Sequence, residues 1–173
     1  GVDEFHVINK DERLKELTKL ADHCGFEYEV LDNLVNNFDL KKLIDEYEVL
    51  VNKFKPDLAL IPYPSYNQDH RTVYDAALVA LRHHDKNHFV KKVLVYEQPH
   101  SFLWDYNHNI SGTFKPNYYK QLDIKNKINS YQLLESQVRG HRSPEILTTL
   151  AKLRGLQSGY DYAEAFQILR WID

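Results

Sequence analysis

The sequence has 173 residues, of which 43% are apolar and 27% are charged, and this is enough apolar material for one domain with a buried core. The 22 basic residues are outnumbered by 25 acidic residues, which excludes the strongly basic surface typical of nucleic-acid-binding proteins. A single cysteine excludes a disulfide framework, and no run approaches the roughly 20 apolar residues that a membrane span requires. We therefore expect one soluble, cytoplasmic domain over residues 1–173.

The first half of the chain alternates helical patterns with short apolar runs. Apolar residues at spacings of three and four predict a helix over residues 10–24, and Phe26–Leu31 is expected to form a strand. Asp39 is the predicted N-cap of a second helix, which Pro56 ends. The continuous apolar run Leu58–Ile61 predicts a strand covered on both faces, as in parallel sheets.

The middle of the chain continues this alternation and then becomes irregular. A third helix is predicted over residues 70–84, and Val93–Tyr96 is predicted to be a second buried strand. Residues 97–119 are rich in Tyr, Asn, His and Pro and predict an irregular loop. A polar loop of this length inside a compact domain is usually functional, so we expect it to contact a ligand.

The last third of the chain predicts two more helices and a closing element. One helix is expected over residues 124–138, and another begins with Ser143 as N-cap and runs to about Leu156, closed by Gly155 and Gly159. Ala163–Ile172 is expected to end the chain as a strand or a short helix. The order of elements predicts an α/β fold with a mainly parallel sheet flanked by helices.

Residues 62–71 connect the Leu58–Ile61 strand to the third helix, at the edge of an open α/β sheet where ligands bind. Asn67, Asp69 and His70 cluster at the start of that helix. A neutral imidazole is a common zinc ligand, and a neighbouring carboxylate can orient it. The same residues also fit a structural interpretation, since Asn and Asp cap helices. Spacing alone leaves both interpretations open.

Three further positions are candidates for ligand contacts. His141 and Arg142 precede a helix N-terminus, where they would bind phosphate or carboxylate, or would form an ordinary capped loop. His100 lies in the irregular loop, where it could contact a substrate. By its pattern alone, Arg13 fits a solvated helix face.

An ordered set of short motifs extends over nearly the whole chain. Its members are Arg13-Leu14-Lys15-Glu16-Leu17, Leu31-Asp32-Asn33, Asn67-Gln68-Asp69-His70-Arg71, Phe114-Lys115-Pro116-Asn117-Tyr118-Tyr119, Ser136-Gln137, Arg142-Ser143, Arg154-Gly155 and Tyr162-Ala163-Glu164-Ala165-Phe166. The set resembles the LmbE/PIG-L family of zinc-dependent sugar N-deacetylases, in a bacterial branch linked to surface polysaccharides and nucleotide sugars. The resemblance implies a Rossmann-like layered fold and hydrolysis of an N-acetyl group from an amino-sugar or nucleotide-sugar substrate.

The resemblance also implies roles for individual residues. His70 matches a ligand of zinc, or of another divalent metal, and Asp69 matches a carboxylate that orients its neighbours. Asn67 stands where relatives often have a histidine that polarises the amide. The remaining positions implied to contact sugar or phosphate groups are Arg13, Asp32 and Arg142, and the loop residue His100 is added as a substrate contact.

One motif of the family does not occur in this sequence. His-Pro-Asp-Asp-Glu supplies two zinc ligands and the general base, and the chain contains no His-Pro dipeptide. The resemblance therefore implies that the first βα unit is missing. The chain would begin inside a longer protein, depend on another chain for that unit, or be an inactive relative.

Two expectations follow from the missing motif. We expect neither robust zinc affinity nor turnover from this chain alone, which would act within a homo-oligomer or beside a chain that supplies the missing unit. The alternative function is a non-catalytic carbohydrate-binding or partner-binding domain on the same fold.

Overall fold

A computed structural model describes residues 10–84, 86–99 and 114–173. The elements in chain order are α1 (Lys10–Cys24), α2 (Leu40–Phe54), β1 (Leu58–Pro62), α3 (Gln68–Ala80), β2 (Lys92–Tyr96), β3 (Tyr118–Gln121), α4 (Ile124–Gln132), two 3₁₀ turns (Glu135–Gln137 and Gly140–Arg142), α5 (Pro144–Ser158) and β4 (Ala163–Trp171). Within the described ranges, no helix is long and apolar enough to cross a membrane.

The described chain divides into two compact units. Unit 1 comprises residues 10–35 and 119–164, and unit 2 comprises the described parts of 36–118 together with 165–173. In unit 1, α4 packs against both α1 and α5. The expectation of a single domain over residues 1–173 stays a prediction.

The four strands form one sheet in the order β1-β2-β4-β3. β1 and β2 are parallel, with Ile61 opposite Val95, whereas β2 and β4 are antiparallel. The predicted α/β class with a sheet flanked by helices is confirmed, although the sheet is not purely parallel. Apolar periodicity reports which residues are buried and not the direction of the neighbouring strand, so the antiparallel pair could not be derived from it.

The core of unit 2 lies between the sheet and helices α2 and α3. Its buried members are Val51, Ile61, Tyr63, Ala77, Leu81, Val90, Val93 and Val95. α2 has the cap that the sequence predicts, since Asp39 Oδ1 accepts a hydrogen bond from the Lys42 backbone N–H at 2.7 Å. It ends at Phe54 and is capped by Lys55, whose φ of 47° is left-handed, immediately before Pro56.

The strand predicted over Phe26–Leu31 is wrong, because this segment is irregular. Phe26, Tyr28 and Val30 are exposed, and within the described ranges the segment belongs to no sheet. A strand is stabilised by hydrogen bonds to a neighbouring strand, so an apolar alternation without such a neighbour does not form one.

The prediction that both faces of β1 are covered is also wrong. Leu58 and Leu60 are 43% and 52% exposed, whereas Ile61 is 5% exposed. β1 is the first strand in the sheet order, and only its alternate residues reach the core of unit 2.

Three further predicted elements have other boundaries in the structure. The third helix, predicted over residues 70–84, spans Gln68–Ala80. The expected loop ends earlier, because Tyr118–Gln121 forms β3. The helix predicted over residues 124–138 ends at Gln132. The Tyr131 hydroxyl lies 2.9 Å from the Gln137 carbonyl oxygen and 2.7 Å from that of Arg142, so the following chain folds back onto the last turn of α4.

The C-terminal helix α5 begins as predicted, with the Ser143 side chain accepting from the Ile146 backbone N–H and Pro144 at the first helical position. Gly159 ends the helix with a φ of 78°, a conformation that glycine adopts without strain. Gly155 lies inside the helix and does not close it. A Cβ placed on Gly155 would lie 2.6 Å from the carbonyl oxygens of Tyr160 and Asp161. Glycine is needed here for close backbone approach.

Candidate functional site

The loop that follows β1 is held in place before it enters α3. The Tyr63 backbone N–H donates to the Tyr96 carbonyl at 3.1 Å, and the buried Tyr63 ring meets Phe114 edge-on at 5.2 Å. Pro62 and Pro64 each fix one backbone φ angle of this stretch. Arg71 then donates to the carbonyl oxygens of Ser65 at 2.9 Å and Tyr66 at 2.5 Å. These contacts fix the path of the loop at the carboxyl edge of β1.

Asn67 is the N-cap of α3. Its backbone is extended, and its Oδ1 accepts the Asp69 backbone N–H at 2.8 Å. The structural interpretation that the sequence left open therefore holds for Asn67. Because Oδ1 serves the helix, Nδ2 is the group of this side chain able to donate to a ligand.

Asp69 is a buried carboxylate that fixes a neighbouring segment. Its Oδ2 accepts a hydrogen bond from the Asn36 backbone N–H at 2.7 Å, and Asp69 as a whole is only 7% exposed. Asn36 has a left-handed φ of 61°, and its Oδ1 accepts from Gln68 Nε2 at 3.0 Å. Asp69 and Gln68 thus hold the turn before α2 against the first turn of α3.

His70 is partly buried, and its ring is fixed through one nitrogen. His70 Nδ1 lies 2.7 Å from Ser65 Oγ, and the same oxygen accepts the Asn67 backbone N–H at 3.2 Å. Ser65 is 1% exposed. Whichever atom of the Ser65–His70 pair donates, Nδ1 is engaged in this hydrogen bond. Metal binding or proton transfer by the imidazole would therefore use Nε2.

Removing the Ser65 hydroxyl is expected to release the His70 ring. In Ser65→Ala, the ¹⁵N chemical shifts of Nδ1 and Nε2 should move toward the averaged values of an unrestrained histidine, because the hydroxyl no longer selects one tautomer. NMR on ¹⁵N-histidine-labelled protein measures this. Ser158→Ala is the control, since the Ser158 hydroxyl donates to carbonyl oxygens of its own helix. Equal His70 shifts in both variants would contradict the role of Ser65.

The end of β2 adds two polar side chains at the same edge of unit 2. Tyr96 pairs with Pro62 in the sheet. Burial raises the pKa of the Tyr96 phenol, and a side-chain hydrogen bond with Gln98 opposes that rise. Gln98 Oε1 is buried and has no hydrogen-bond partner in the part of the chain that the structure describes. Gln98 is not among the residues predicted to form the site, although a polar residue just after a buried strand is a usable signal.

The substrate contacts predicted in unit 1 are only partly brought together. Arg13 Nη1 donates to Ser136 Oγ at 3.0 Å, and Arg142 Nη1 donates to Gln137 Oε1 at 3.0 Å. The two acceptors are neighbours in the chain, so the two guanidinium groups bind the same short segment. Asp32 lies on the irregular segment after α1. Its side chain is 97% exposed, and its Oδ1 lies 4.0 Å from Lys10 Nζ. His100 lies outside the described residues. The role predicted for each of these residues stays a prediction.

The ligands expected for zinc are incomplete among the described residues. A hydrolytic zinc site uses about three protein ligands and a water molecule. Within residues 10–84, 86–99 and 114–173, no three His, Cys, Asp or Glu side chains form a group able to hold a metal. His70 is one candidate ligand, and the described residues do not by themselves fit a catalytic zinc site.

Three solved structures have a similar fold. A conserved protein from Thermus thermophilus matches with a TM-score of 0.72 and 16% identity, over 98% of this chain and 78% of its own. The N,N'-diacetylchitobiose deacetylase from Pyrococcus horikoshii, complexed with its inhibitor MPG, matches with a TM-score of 0.71 and 18% identity, over 96% and 69%. The 4-carboxy-2-hydroxymuconate hydratase from Pseudomonas putida matches with a TM-score of 0.69 and 20% identity, over 95% and 73%.

This chain shares their fold. One of the three acts as a deacetylase and another as a hydratase, and a common fold hosts different chemistries, so the likeness does not by itself assign a reaction. No protein-family model matches the sequence, and no curated protein is significantly similar to it.

Proposed function

We propose that this chain carries part of the catalytic site of a hydrolase that removes the N-acetyl group from an amino-sugar derivative, such as a nucleotide sugar or a glycoconjugate precursor. The observation that carries the proposal is His70, held through Nδ1 by Ser65 at the carboxyl edge of the parallel pair β1 and β2. The chain shares its fold with a deacetylase, and ligands of open α/β sheets bind at this edge.

Each of three residues has a separate task in the proposed site. Asn67 donates through Nδ2 to the carbonyl oxygen of the acetyl group and stabilises the negative charge that develops there. Asp69 is a positioning residue, because its carboxylate holds the Asn36 backbone N–H. His70 presents Nε2, as a metal ligand or as a group that transfers a proton.

The incomplete ligand set gives a direct test on residues 1–173. We expect this chain alone to bind Zn²⁺ more weakly than micromolar and to release no acetate from N-acetylated amino sugars, since about three protein ligands are needed for a hydrolytic zinc site. Calorimetric titration with zinc, combined with an acetate assay, measures both. Micromolar or tighter binding together with acetate release would contradict this expectation.

The alternative is a carbohydrate-binding or partner-binding domain on the same fold, and the incomplete ligand set of the described residues favours it. The coding sequence upstream of Gly1 separates the two functions. An in-frame His-Pro-Asp-Asp-Glu supports the hydrolase, and its absence supports the binding domain.

In a protein that carries this motif, replacing His70 is expected to remove activity. His70→Ala should lower kcat/KM about 1000-fold with little change in Tm, because a group at the reacting centre is worth about 4 kcal/mol of the activation free energy. Steady-state acetate release measures the effect. His23→Ala, at an exposed histidine of α1, is the control and should keep full activity. A His70→Ala enzyme as active as this control would refute the proposed function.

A further inference from the structure

Tyr66 is an exposed aromatic residue within the candidate site. It directly precedes Asn67, the N-cap of α3, and it is 46% exposed. Tyr63, in the same loop, is only 5% exposed and belongs to the core of unit 2. Packing therefore accounts for Tyr63, whereas nearly half of the Tyr66 surface is in contact with solvent.

The backbone on either side of Tyr66 is fixed by hydrogen bonds. Arg71 Nη1 donates to the carbonyl oxygens of Ser65 at 2.9 Å and of Tyr66 at 2.5 Å. Ser65 Oγ accepts a hydrogen bond from the Asn67 backbone N–H at 3.2 Å and lies 2.7 Å from His70 Nδ1. Tyr66 is thus an exposed residue on a backbone that is held against the first turn of α3. Because this backbone is already ordered, little conformational entropy is lost when Tyr66 contacts a ligand.

A tyrosine in this setting suits the ring of a sugar. The two faces of a pyranose carry C–H groups and are apolar, although the hydroxyl groups at the rim are polar. An aromatic side chain offers a flat apolar surface of similar size, and ligand sites commonly combine aromatic side chains with a few polar groups. Tyr66 supplies such a surface next to the polar side chains of Asn67 and His70. An acyclic acetamide has no ring face that this surface could cover.

We propose that Tyr66 stacks on the sugar ring of the substrate and makes the site selective for N-acetylated amino sugars over acyclic acetamides. This role rests on the proposed function, in which Asn67 Nδ2 donates to the acetyl carbonyl oxygen. The acetamido group is attached directly to the sugar ring, so a substrate held through that oxygen has its ring beside the residue that precedes Asn67. Stacking stabilises the bound substrate and the transition state equally, and its effect is therefore measured as binding.

Binding to residues 1–173 tests this contact without turnover. The chain, labelled with ¹³C in its tyrosine rings, is titrated with N-acetylglucosamine and separately with the acyclic N-acetylethanolamine. Ring resonances are followed by NMR, and Tyr66→Phe identifies those of Tyr66 by their loss. We expect the Tyr66 resonances to shift saturably with the sugar and to stay unchanged with N-acetylethanolamine at the same concentrations.

Two variants and one control complete the test, with binding measured on the acetyl methyl resonance of the sugar. Tyr66→Ala should weaken binding of N-acetylglucosamine about tenfold, which corresponds to about 50 Å² of apolar surface that is no longer buried. Tyr66→Phe keeps the aromatic face and should bind nearly as well as the unmodified chain. Tyr160→Ala is the matched control, since Tyr160 is 43% exposed and lies in unit 1, and it should leave sugar binding unchanged.

Three results would overturn the proposal. These are Tyr66 resonances that do not respond to N-acetylglucosamine, binding of N-acetylethanolamine as tight as that of the sugar, and a Tyr66→Ala chain that binds the sugar as well as Tyr160→Ala does. The proposed hydrolase fails on different measurements, which are acetate release and the upstream coding sequence. Sugar binding through Tyr66 without acetate release would support this inference and, of the two functions, favour the binding domain.

Discussion

Replacing Gly155 with alanine is expected to lower the free energy of unfolding by about 3 kcal/mol, at the upper end of typical overpacking effects. The added Cβ would lie 2.6 Å from the carbonyl oxygens of Tyr160 and Asp161, and backbone atoms cannot move aside as a flexible side chain can. This loss exceeds the gain of about 1 kcal/mol that alanine gives in a helix interior. Denaturant unfolding followed by circular dichroism measures the difference.

Gly140→Ala is the matched control for Gly155→Ala. A Cβ at Gly140 has no atom within 4 Å, so the change in unfolding free energy should stay within about 0.5 kcal/mol. If Gly155→Ala is as stable as Gly140→Ala, the turn over residues 159–161 relaxes easily, and the close approach does not stabilise unit 1.

Removing the Asp69 carboxylate is expected to lower the free energy of unfolding by about 2 kcal/mol. Asp69→Ala leaves the Asn36 backbone N–H without its charged acceptor and removes a negative charge from the first turn of α3. The Asn36 amide should then exchange with solvent much faster than in the unmodified chain. Denaturant unfolding and hydrogen exchange by NMR measure the two effects.

Two variants show whether this effect belongs to the Asp69–Asn36 contact. Asp69→Asn keeps a side-chain oxygen acceptor and should lose less stability than Asp69→Ala. Asp75→Ala removes an exposed aspartate from the same helix, so its change should stay within about 0.5 kcal/mol. If the Asn36 amide is protected from exchange equally in Asp69→Ala and Asp75→Ala, Asp69 does not position this turn.

Three helix ends could be predicted because their determinants are local. Asp39 and Ser143 cap α2 and α5, and Gly159 ends α5, each through contacts with residues a few positions away. The buried strand β2 could be predicted equally well, since Val93 and Val95 are almost fully buried in a continuous apolar run. Short-range hydrogen bonds and burial can both be recognised from the order of residues in the sequence.

The wrong predictions share a dependence on distant parts of the chain. Phe26–Leu31 has the alternation of a strand but lacks a paired neighbour in the described sheet, whereas Tyr118–Gln121 forms a strand from a polar segment next to β4. A strand's hydrogen bonds belong to the pair and not to either sequence. Whether a segment becomes a strand therefore depends on whether folding places a pairing strand beside it.

For the candidate site, the sequence by itself located Asn67, Asp69 and His70 at the start of α3, because consecutive residues on one helix turn remain neighbours in any fold. Only the tertiary structure joined Asn36 to Asp69 across 33 positions, and Arg13 to Ser136 across 123. It also gave Ser65 its role beside His70 through the bend of the loop. The sequence determined which side chains are present and how helices begin and end. Folding decided which distant groups meet, because those contacts depend on the packing of the whole chain.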